Sequence, residues 1–127
     1  ANACRVLADW ECQIRAGVSA AAAGEASEDP VVHARGLVAE ALGRSRTRDY
    51  SLSEGLLAKA QWVLRDTRSP EMSADIYLNY SSLSHSIGKY GASVEYAEKG
   101  LAALTGSNGT RSAQGGTTRP GSGGVAG

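Results

Sequence analysis

Apolar positions recur every three to four residues across most of the chain, the period of helices packed on one side. Over residues 70–87, Ile76, Tyr80, Leu83 and Ile87 fall on one narrow face at ~100° per residue. Asp75, Asn79, Ser82 and Ser86 fall roughly opposite. The next segment places Tyr90, Val94, Ala97 and Leu101 on one face, a stripe expected to pack inward. Ser93 and Gly100 lie beside that stripe and let two backbones approach closely. Between the two segments stands Gly88, which takes a left-handed helix end cheaply. So short a connection predicts an antiparallel pair.

Breakers divide the remainder. "SEDP" before Val31 and "TRSPEM" each put an acidic or hydroxyl residue before a proline, a helix-start pattern. "GRSRTRD" reads as a turn, longer than the one at Gly88. Residues 30–64 and 70–104 align at an offset of forty with six identities, among them Pro30/Pro70, Tyr50/Tyr90 and Ser53/Ser93. One step further back, Trp10 falls opposite Tyr50 and Tyr90, although no clear turn interrupts "CRVLADWECQIRAG". Alternating β patterns are missing. The expected fold is all-α: two to three antiparallel helical hairpins stacked over residues 1–104. Residues 105–127 are rich in Gly, Ser and Thr without apolar periodicity, and read as a disordered, flexible tail.

Composition narrows the partners. Thirteen acidic residues balance thirteen basic ones, which disfavours a nucleic-acid surface. No stretch approaches the ~20 apolar residues of a membrane span. Cys4 and Cys12 on one straight helix would sit ~12 Å apart, too far to bridge. Two reduced thiols and a cytoplasmic location are therefore expected. The chain begins with Ala rather than Met, as a processed product or a segment of something longer would.

Candidate chemistry is sparse. His33 and His85 are the two histidines, and neither has a metal-ligand partner at helical spacing. No nucleophile elbow or phosphate-binding glycine loop occurs. No catalytic residue, metal or cofactor is assigned. The basic turn, Arg44, Arg46 and Arg48, could hold a phosphate or acidic peptide, or be solvated and complement a helix C-terminus. An enzyme or nucleic-acid-associated protein using His85 or that turn is the alternative to a binding module.

"ADIYLNYSSLSHSIGKYGASVEYAEKGLAAL" resembles one tetratricopeptide repeat. Tyr77 and Ser81 match the bulky and small positions of the family's helix A. Gly88 and Tyr90 match its turn, and Ser93, Ala97, Gly100 and Leu101 its helix B. Ser84 stands where the family has a bulky residue, and no proline follows Leu104. The resemblance implies a solenoid fragment that binds a protein or peptide in a groove lined by helices A. Position by position, that groove would comprise Asp75, Leu78, Asn79, Ser82, His85 and Ser86. Arg35, Val38, Ala39 and Leu42 would join them from the earlier hairpin.

Overall fold

The computed structural model describes residues 9–112, with side chains as far as Thr105. They form five helices and no strand: α1 (Trp10–Ala26), α2 (Pro30–Arg46), α3 (Tyr50–Val63), α4 (Pro70–Ser86) and α5 (Tyr90–Ser112). Helices thus begin at residues 10, 30, 50, 70 and 90. The register reaching back to Trp10 is real, and its start signal is Asp9, whose carboxylate accepts from the Cys12 amide. Asp29 accepts from the Val31 and Val32 amides and Ser69 from that of Met72, with Pro30 and Pro70 opening their helices. Each cap satisfies donors that have no partner within the helix.

Three of the four connections share one backbone design. In each, a middle residue takes positive φ: Glu28 (57°), Arg48 (70°) and Gly88 (86°). The amide after it donates back across five residues: Asp29 to Gly24, Asp49 to Arg44 and Lys89 to Ser84. The middle amide donates to Glu25, Ser45 and His85 respectively. This paired closure ties off the last carbonyls of one helix as the next begins. The turn after α2 is therefore as short as the one at Gly88. Arg44 and Arg46 belong to the last turn of α2, and only Arg48 lies in the connection. The expected basic turn thus begins inside a helix. The link from α3 to α4 is the longer one and carries Leu64 into the core.

The hairpins close by different means. Between α1 and α2, glycines replace side chains. A methyl on Gly17 would lie 2.6 Å from the Glu40 amide nitrogen, one on Gly24 would strike the His33 backbone, and one on Gly36 that of Ala21. Between α2 and α3, buried Ser53 donates to the Ala41 carbonyl at 2.8 Å. The equivalent pair in α4 and α5 is also hydrogen-bonded, Ser81 Oγ donating to the Ser93 carbonyl at 2.7 Å. Gly100 rests against the Ala74 carbonyl, Tyr77 and Leu78. One core cluster then joins Leu37, Val38 and Ala41 of α2, Leu57 and Ala60 of α3, and Met72, Ile76, Tyr80 and Leu83 of α4. Burying each large aliphatic there contributes about 1.5–3 kcal/mol.

Two inward faces expected from the periodicity are corrected. Ile87 is the C-cap of α4 and is exposed, while Ile76, Tyr80 and Leu83 are buried. On α5, Tyr90, Val94 and Leu101 are exposed at 62%, 57% and 62%. The helix instead meets α4 through Ser93, Tyr96 and Gly100, and Tyr96 stacks on Tyr80 at 4.9 Å between ring centroids. The reason is position: α5 touches α4 alone, and the apolar stripe lies ~100° around the helix from that contact. The boundary expected at residue 104 falls inside α5, and residues 113–127 of the expected tail lie outside the described residues.

Cys12 is disulfide-bonded, which overturns the expectation of two reduced thiols. The separation argument assumed one straight helix through both cysteines, whereas α1 starts only at Trp10. Cys4 lies outside the described residues.

Candidate functional site

Helix α4 presents most of the groove residues implied by the sequence. Asp75, Leu78, Ser82, His85 and Ser86 are exposed on it, and Arg35 is exposed on α2. Asn79 is half-buried, and its amide donates to the Asp75 carbonyl at 2.9 Å. Ser86 likewise donates to the Ser82 carbonyl at 3.0 Å. These two polar groups are thus satisfied by their own helix. His85 meets Tyr90 edge-on, with centroids 5.1 Å apart.

The earlier hairpin contributes less than expected. Val38 is only 5% exposed and sits in the buried cluster with Met72, Ile76 and Tyr80. Leu78, forty residues on at the same register, is 51% exposed. The difference follows from stacking: α2 has α4 beside it, and the described residues place no helix at the corresponding side of α4.

The three arginines have separate neighbours. Arg44 pairs with Glu40 at 3.4 Å on the same helix. The Arg46 guanidinium lies 5.6 Å from the centre of the Trp10 ring, a cation–π contact between α2 and α1. Arg48 occupies the positive-φ turn position and is exposed. Among the described residues, no group of three or more His, Cys, Asp or Glu is placed to hold a metal ion. None of the helices found there is long and apolar enough to cross a membrane.

One concavity lies where sequence reasoning had not looked. A cleft of about 260 Å³ runs between the start of α3 and the adjoining parts of α4 and α5. Tyr50, Tyr80 and Tyr96 line it, with Glu54 and Lys89 contributing opposite charges. Burial, reinforced by the potentials of Tyr96, Glu54 and Tyr77, pushes the Tyr80 phenol up to about 12. Its hydroxyl faces Gln61 Oε1 at 3.4 Å. Pockets for small molecules usually enclose ~300–1,000 Å³, so the cleft suits one inserted side chain better than a cofactor. Its sequence signal was the tyrosine spacing, but Tyr96 is six residues from Tyr90 and off the apolar stripe.

No family model matches the chain, and no curated protein or solved structure matches it.

Proposed function

We propose that the chain is a non-enzymatic binding scaffold of the tetratricopeptide-like kind, which receives a protein or peptide on the exposed face of α4. The observation carrying this reading is Leu78. An apolar side chain stands half in solvent at a register where Val38 is buried, and Asp75, Ser82 and His85 surround it with polar groups. An apolar anchor within a polar rim is how recognition surfaces concentrate their energy. The stacked hairpins support the reading by holding that face on regular helices rather than on loops.

The cysteine bears on location. A cytoplasmic setting was expected from reduced thiols, and a disulfide at Cys12 removes that support. Structural disulfides persist in oxidising compartments, which is where we place the chain.

Selection of a random peptide display library against the protein tests the function. Enriched peptides should lose at least about tenfold in affinity with Leu78→Glu, or about 1.4 kcal/mol, while the circular dichroism melt is unchanged. Failure to enrich any peptide would count against the scaffold. So would salt-sensitive RNA or DNA binding abolished by Arg46→Ala with Arg48→Ala.

A further inference from the structure

The exposed stripe on α5 is not scattered surface hydrophobicity. Tyr90, Val94, Ala97, Leu101 and Leu104 are spaced four, three, four and three residues apart. That is the 3.5-residue seam by which one helix interlocks with another. The same register on α1 holds Trp10, Ile14, Gly17, Ala21 and Gly24. There Ile14, Gly17, Ala21 and Gly24 are all buried, in a helix that touches α2 alone. On α3 and its C-cap the register holds Leu57 and Leu64, both buried, but also Glu54 and Gln61, both exposed. Helix α5 therefore carries a complete apolar version of a docking face, with Val94 and Leu101 where α3 is polar, and among the described residues it is left largely open, His85 meeting it edge-on at Tyr90.

Residues 113–127, "AQGGTTRPGSGGVAG", offer one valine and no leucine, isoleucine, methionine or aromatic residue. Their composition holds no apolar stripe to match that on α5. Among the described residues, the helix that leaves such a seam exposed is α5 itself. We infer that the α5 stripes of two copies pair, giving a two-fold dimer.

The seam suits self-pairing. Bulky Tyr90 and Leu104 end it, and small Ala97 sits at its centre, where two backbones can approach closely. One border of the seam is Gly91, Glu98 and Thr105, and the other is Ser93 and Gly100. A second copy thus meets a single like charge rather than a row of them. The apolar side chains expose on the order of 450 Å² per copy, so a pair with its polar margins would bury about 1,000 Å², the lower limit for a specific interface. Association is accordingly weak, with a dissociation constant on the order of 10–100 µM.

Sedimentation equilibrium of the full chain across that concentration range tests the inference. The mass should rise from one chain toward two and stop there. Val94→Glu and Leu101→Glu should each leave a monomer throughout, with an unchanged thermal melt because both side chains are exposed. Leu52→Glu on α3 should leave the association as it is. A monomer at every concentration would overturn the proposal, as would a dimer that survives both stripe substitutions or growth beyond two copies. The peptide-display result through Leu78 is read separately and can succeed or fail without affecting this one.

Discussion

At the scale of single residues, Tyr80 joins three otherwise separate facts. It is a core residue of α4, it stacks on Tyr96 of α5, and it lines the cleft beside Glu54. Its phenol ionises near about 12 when folded, against about 10 for an unfolded tyrosine. The folded state therefore favours the protonated form. Stability should be intact below about pH 10 and fall as pH rises towards about 12, by at most ~1.4 kcal/mol per unit. Urea midpoints measured across that window check this. Tyr80→Phe should flatten the decline, whereas parallel curves for both proteins would assign it to other groups. The amphipathic pattern alone revealed that Tyr80 is buried. It could not reveal Tyr96 as its partner, because that tyrosine lies outside the apolar stripe of α5.

At the scale of elements, the connections show what sequence reasoning can and cannot see. Gly88 announced its turn because glycine is the one residue without a penalty at positive φ. Glu28 and Arg48 perform the same task and announced nothing, since neither side chain is specific to that conformation. The turn after α2 looked longer for this reason, and Arg44 and Arg46 were assigned to it rather than to the helix. A residue other than glycine in the left-handed region costs about 1–2 kcal/mol. Replacing Arg48 by Gly should thus stabilise the protein by roughly 0.5–1 kcal/mol, after the extra freedom of the unfolded chain is deducted. Gly88→Ala should destabilise it by a similar amount. Urea denaturation of the two variants reads both signs, and a destabilised Arg48→Gly would mean the arginine side chain does more than occupy the turn.

At the scale of the whole molecule, the helices form a line of neighbours rather than a closed shell. Helix α1 contacts α2, α5 contacts α4, and the shared core lies mostly among α2, α3 and α4, with Ala21 of α1 joining it. The all-α class and the hairpin containing Gly88 were legible from period and punctuation. The α1 contact was not, because glycines packing backbone against backbone leave no hydrophobic pattern to read. Nor could periodicity tell which apolar face would be covered: Val38 and Leu78 occupy the same register with opposite fates. A linear stack should open from its ends. Native-state hydrogen exchange is expected to show the amides of α1 exchanging at least about tenfold faster than those of α4, a gap of about 1.4 kcal/mol. Equal protection would indicate one cooperative unit.

The turns at Glu28, Arg48 and Gly88 are closed by main-chain amides, so three residues of different character complete the same closure, at different cost. Residue identity can therefore differ from one such turn to the next while spacing persists. The two hairpins within this chain already show it, sharing six of thirty-five positions yet starting their helices in step. In such a molecule the spacing of twenty residues from one helix start to the next is a firmer signature than any letter within it.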